Sequence, residues 1–67
     1  MDVCRRLGRN IRALRERTGL SQEAFADHVG LHRTYISDLE RGTRNPTVRV
    51  VEKIALALGT EAGSLLD

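Results

Sequence analysis

The sequence predicts an all-α fold, a bundle of five short helices forming one domain over residues 1–67. Three observations predict it. Apolar residues recur at three- and four-residue steps along most of the chain. Ser21 and Thr47 stand just before such runs, where capping residues belong, and Gly19, Gly30, Gly42 and Gly59 stand just after them. Pro46, the single proline, interrupts the pattern where a helix could not continue.

The first helix is expected from Val3 to Arg17, with Cys4, Leu7, Ile11 and Leu14 as one apolar stripe. Gly8 lies inside it at a disadvantage of about 1 kcal/mol against alanine, for which close backbone packing would compensate. Its arginines surround the stripe, either as a solvated basic face or with one or two of Arg5, Arg6, Arg9 and Arg12 on a polyanion. Thr18-Gly19 ends it with a left-handed cap. Ser21 then caps a second helix whose buried side is Phe25, Ala26 and Val29, and Ala26 is small where two helices should cross closely. Gly30 turns the chain at positive φ, and Leu31 plugs the corner. The third helix begins near His32 or Arg33 and runs to about Arg41. After the polar loop Thr43–Thr47, a fourth helix spans Val48 to Leu58. Thr60 is expected to cap a last short helix with Ala62, Leu65 and Leu66 as its apolar residues.

Hydrophobic content of 40% supports a globular chain, but 67 residues bury only a modest core, so a partner subunit would help. The fourth helix is apolar over more than one stripe and needs a second surface, expected to be another copy of the chain. The dimerisation segment is placed at about residues 48–67, with Val50, Ala57, Leu58, Leu65 and Leu66 as interface residues. Net charge is +2 and unevenly spread. Residues 1–17 carry six arginines against Asp2 and Glu16, and residues 31–49 carry Arg33, Arg41, Arg44 and Arg49 against Asp38 and Glu40. The segments 18–30 and 50–67 are each net acidic. Ten of the eleven basic residues are arginine, the side chain suited to bidentate phosphate and guanine contacts.

Two short helices joined at Gly30 make a helix-turn-helix over about residues 21–41, whose second helix would enter a DNA major groove. Ile36 and Leu39 share the inward face, which leaves Arg33, Thr34, Ser37 and Arg41 mostly on other faces. These are donors for phosphates and base edges. Arg33, at the helix start, suits guanine O6 and N7, with Thr34 and Ser37 as smaller base-reading contributors. Asp38 either accepts from cytosine N4, repels wrong contacts or pairs with a nearby arginine. Tyr35 either packs in the core or offers its hydroxyl to phosphate. Arg41 and Arg44 suit phosphate, as does Gln22 in the first turn of its helix.

These residues also resemble the phage-repressor-like (Cro/C1, or XRE) helix-turn-helix family. The likeness covers about residues 7 to 66 and rests on Leu20-Ser21-Gln22-Glu23, Ala26, Gly30, Tyr35-Ile36-Ser37, Leu39-Glu40-Arg41-Gly42, Asn45-Pro46-Thr47 and Ala55-Leu56-Ala57-Leu58-Gly59. Within the family, Arg33-Thr34-Tyr35-Ile36-Ser37 followed by Glu40-Arg41 and Arg44-Asn45 looks most like the controller proteins of restriction–modification systems. The resemblance implies a repressor-like five-helix DNA-binding bundle that dimerises through its C-terminal helices and reads (pseudo)palindromic operators. By position it implies base-reading roles for Arg33, Thr34, Ser37 and Asp38. It implies backbone contacts for Gln22, His32, Tyr35, Arg41, Arg44 and Asn45. It also implies a partly buried ion pair between Arg15 and Glu40. His32 departs from the family, which more often has Ser, Thr or Asp there; it either caps the third helix poorly or meets phosphate when protonated.

An enzyme is not expected. Cys4, Asp27, His28 and His32 are the residues with metal or catalytic chemistry, and the helix break at Gly30 keeps the two histidines off one face. No metal, cofactor or small-molecule ligand is expected, and no membrane span. One cysteine and no signal-peptide pattern fit a cytoplasmic protein. The expected partners are double-stranded DNA and a second copy. The alternative is an antitoxin-like or accessory helix-turn-helix module whose chief partner is another protein. Such a module should expose aliphatic residues where Arg33, Thr34 and Ser37 stand.

Overall fold

Asp2 accepts the backbone N–H of Cys4 at 3.1 Å and starts helix α1, Val3–Thr18. The same device opens α2, Gln22–Val29, where Ser21 accepts from Ala24 at 3.0 Å, and α4, Val48–Leu58, where Thr47 accepts from Val50 at 3.2 Å. Each such cap satisfies a backbone donor that the helix itself cannot reach, worth about 1 kcal/mol. Helix α3 is Arg33–Arg41, and α5 is the single turn Ala62–Leu65. The computed structural model describes residues 2–67, and among them there is no strand.

Four of the five helices begin and end within one residue of the expected bounds. The start of α5 differs: Glu61, not Thr60, is its N-cap, and among the described residues it receives no side-chain capping bond. What holds α5 is long-range. Asn10 donates its side-chain amide to the Leu65 carbonyl at 2.9 Å, and Arg6 Nε donates to the Leu66 carbonyl at 3.0 Å. Both bonds satisfy carbonyls that a one-turn helix leaves unpaired.

Six large side chains are fully buried: Ile11, Phe25, Ile36, Leu39, Ile54 and Leu65, drawn from all five helices. Each contributes about 1.5–3 kcal/mol by leaving water. The position of Leu65 corrects the expectation that it faces a second subunit. It is 0% exposed within the protomer and has no surface to offer. On α1, the buried line is Leu7, Gly8, Ile11 and Arg15, while Cys4 and Leu14 of the expected stripe are only half-buried.

Gly8 explains that line. A Cβ built on it would overlap the Leu39 carbonyl oxygen and lie 2.8 Å from the carbonyl oxygen of Glu40. The main chains of α1 and α3 therefore meet at a separation that a methyl group would prevent, as the sequence argument anticipated. Gly8→Ala should lower stability by about 1–3 kcal/mol in urea melts, because strain at this contact outweighs the gain in helix propensity. Gly63→Ala is the control. No described atom lies within 4 Å of that Cβ, so stability should hold or rise by up to about 1 kcal/mol.

Candidate nucleic-acid interface

The turn between α2 and α3 is made by Gly30 at φ +74°, where a side chain would be strained. Its N–H returns to the last turn of α2, and Leu31 N–H reaches the Ala26 carbonyl at 2.9 Å. Ala26 is 1% exposed at the crossing, and Leu31 packs on the core beside it. The chain then enters α3 at His32, whose side chain makes no capping hydrogen bond among the described residues. The first-turn N–H groups of α3 therefore lack a side-chain acceptor at the edge of the molecule, an arrangement that favours an anion.

Ile36 and Leu39 pin α3 to the core, with Tyr35 packed half-buried beside them. Arg33 and Thr34 are exposed at the start of the helix, Ser37 is half-buried one turn on, and Arg41 is exposed at its end. Arg44 and Asn45 are exposed in the following loop. Asn45 borders an apolar groove of about 220 Å³ between the start of α1, the start of α4 and α5.

Two polar networks organise these residues. In the inner one, Arg15 Nε donates to Glu40 Oε2 at 2.6 Å and Nη2 to Oε1 at 3.1 Å, while Nη1 reaches the Leu20 carbonyl at 2.8 Å. Gln22 Nε2 donates to the same Glu40 Oε1 at 3.0 Å. The side chains of Arg15 and Glu40 are 11% and 4% exposed. The hydrogen bond to Glu40 holds the guanidinium pKa above its ordinary value against the opposing effect of burial. The ion pair implied by the family resemblance is thus present, and Gln22 joins it.

In the outer network Asp38 holds two arginines. Arg41 Nη2 donates to Oδ1 at 2.5 Å and Arg44 Nη2 to Oδ2 at 3.3 Å. The Arg44 guanidinium also lies 4.6 Å from the centre of the Tyr35 ring, within cation–π range. The bond from Arg41 holds the Asp38 carboxyl below its ordinary pKa against the opposing effect of desolvation, with a smaller contribution from the Arg44 bond. The network is therefore intact at neutral pH and weakens only as pH falls through that lowered value. Of the three readings open for Asp38, pairing with arginine describes the protein without DNA.

The arginines of α1 divide differently from a simple basic face. Arg15 is buried, Arg6 reaches the backbone carbonyl of Leu66, and Arg12 pairs with Glu16 at 3.4 Å. Sequence spacing does not reveal the Gln22–Glu40 bond or the Arg44–Tyr35 contact, because the partners lie 18 and 9 positions apart on different elements. Among the described residues, no group of three His, Cys, Asp or Glu could hold a metal ion, and no helix is long and apolar enough to cross a membrane.

Two short helices crossing at a glycine turn, the second showing a polar and cationic outer side, define a helix-turn-helix protein. The chain belongs to the Helix-turn-helix family, whose profile matches residues 11–65. It is 49% identical over 61 residues to control protein C.BamHI of Bacillus amyloliquefaciens, covering 90% of this chain and 75% of that protein. Identity to control protein C.SmaI of Serratia marcescens is 44% over 66 residues, covering 98% and 79%. The fold matches the crystal structure of the restriction-modification controller protein C.AhdI from Aeromonas hydrophila with a TM-score of 0.86 at 40% identity, covering 92% of this chain and 94% of that one. The likeness to controller proteins read from Arg33–Ser37 and the segments after it is borne out.

The inner network yields a prediction. Glu40→Ala leaves the Arg15 guanidinium buried without its carboxylate and should reduce stability by about 3–5 kcal/mol in denaturant melts. The double variant Arg15→Met/Glu40→Leu should recover most of that loss, since an apolar pair strands no charge.

Proposed function

We propose that this protein is a sequence-specific regulator of transcription that binds duplex DNA as a cytoplasmic homodimer, acting as a controller protein of a restriction–modification system. The observation that carries the reading is the build of α3. Its inward side is fastened by Ile36, Leu39 and the Glu40 ion pair, and its start carries exposed Arg33 and Thr34 beside N–H groups without a side-chain cap. A helix made to dock on protein would show aliphatic side chains at those positions. In this reading Arg33, Thr34 and Ser37 address base edges, while Gln22, His32, Tyr35, Arg41, Arg44 and Asn45 address the backbone.

The test begins with selection of bound sites from random duplexes. It should return a (pseudo)palindrome with half-sites one helical turn, roughly 34 Å, apart. Binding to that operator should weaken with salt at a slope near −7, from about 8 phosphates neutralised per dimer. Arg33→Ala should lose roughly 1–3 kcal/mol of discrimination at one base position, whereas Arg44→Ala should weaken all sequences alike and flatten the salt slope. A slope near zero, or equal losses on operator and random DNA for Arg33→Ala, would overturn the corresponding assignment.

The dimer rests on apolar surface left over after the protomer folds. Val50, Ala57 and Leu58 are half-buried, Leu66 is 40% exposed, and Leu56, absent from the expected set, is 74% exposed. Leu56→Glu, on a side chain already in water, should leave the protomer folded and shift sedimentation at tens of micromolar from dimer to monomer. A wild-type monomer at that concentration would reject a stable dimer.

A further inference from the structure

The outer charge network is not needed to hold the fold. Arg41 and Arg44 are 67% and 45% exposed at their side chains, and ion pairs so open to water add little to stability. Their common partner is more specific. Asp38, at 20% exposed, gives one carboxylate oxygen to each guanidinium, Oδ1 to Arg41 and Oδ2 to Arg44. Two oxygens sharing one negative charge on one centre, each taking a guanidinium N–H, is also what the non-bridging oxygens of a phosphodiester offer. The Tyr35 ring beneath Arg44 and the bonds from Thr43 N–H and Oγ1 to the Asp38 carbonyl, at 3.0 and 3.2 Å, fix the loop so that both arginines converge on this point.

We infer that Asp38 occupies, in the protein without DNA, the place of a backbone phosphate and so competes from within the chain for Arg41 and Arg44, holding down sequence-independent binding. The inference rests on the DNA-binding reading above, in which those two arginines meet phosphate. An intramolecular competitor is present at a high effective concentration whatever the concentration of DNA. A backbone contact through the Nη2 groups of Arg41 and Arg44 must therefore displace it. The penalty is the same on operator and random DNA, but backbone charge supplies essentially all non-specific affinity, so only the operator offsets it, through base contacts to Arg33, Thr34 and Ser37.

The test is Asp38→Asn, nearly isosteric, with its fold checked by circular dichroism and its binding to a fluorescent random-sequence duplex followed by anisotropy across a salt series. Binding should tighten about 3- to 10-fold, with a salt slope steeper by about 0.9 per protomer. Glu61→Gln makes the same change in net charge away from α3 and should stay within about twofold of wild type. In an Arg41→Ala/Arg44→Ala background, Asp38→Asn should give no gain. No tightening in the single variant, an equal gain with Glu61→Gln, or a gain that persists without the two arginines would each overturn the inference. So would a loss confined to the selected operator, which would make Asp38 a base reader. If Arg41→Ala/Arg44→Ala binds random DNA as tightly as wild type, the backbone reading itself fails, and this separates the two failures.

Discussion

A nine-residue helix cannot fix its own direction, since isolated helices of that length are marginal in water. Helix α3 takes its direction from α1, the element it packs against most extensively among the described residues. Gly8 lets the two main chains touch at the Leu39 and Glu40 carbonyls. Two turns along α1, Arg15 grips the Glu40 carboxylate with two N–H groups at 2.6 and 3.1 Å. The steric and electrostatic parts need one another. A wider separation of the helices would open the fork of the guanidinium, and loss of the fork would leave a buried charge working against the close approach. Gln22, bonded to the same carboxylate, draws the start of α2 into this contact, so the supporting helix and α3 share one anchor.

The arginines show how little a total charge says about an interface. The chain has ten of them and a net charge of only +2. Arg15 points into the protein, Arg6 holds the Leu66 carbonyl, Arg12 pairs along its own helix, and Arg41 and Arg44 share Asp38. The cationic character of the α3 side comes from placement rather than number. Arg33 is exposed at the positive end of a helix, where α3's own dipole adds to the attraction for an anion.

What could be read from the sequence was local. Ser21, Thr47 and the glycine at each helix end act within four residues, so the bounds of α2, α3 and α4 followed from short-range rules. The inward face of α3 followed from the spacing of Ile36 and Leu39. The start of α5 did not, because a single turn has too little intrinsic stability for a cap to decide it. Side chains on α1 hold it by its carbonyls instead. Nor could spacing separate Leu65, wholly inside the protomer, from its neighbour Leu66, which reaches the surface. One apolar residue follows another there, and only the packing of α5 against α1 and α4 tells them apart. Arg44 on Tyr35 and Gln22 on Glu40 escaped for the same reason, since both join different elements. The Arg15–Glu40 pair, whose members are 25 positions apart, was accessible through family likeness and not through periodicity.

Helix α1 also connects the two ends of the proposed function. Its buried line braces α3 through Gly8 and Arg15, while Arg6 and Asn10 on the same helix hold the carbonyls of Leu66 and Leu65. In the proposed dimer, contact between subunits falls beside Leu66, so force applied there reaches α3 through one continuous 16-residue helix. In that dimer the fold of each protomer would limit how far the two recognition helices adjust on DNA. The buried Arg15–Glu40 pair is held in a domain this small by its hydrogen bonds. Each guanidinium nitrogen of Arg15 and each carboxylate oxygen of Glu40 has a partner, and a network satisfied in this way fixes α3 on α1.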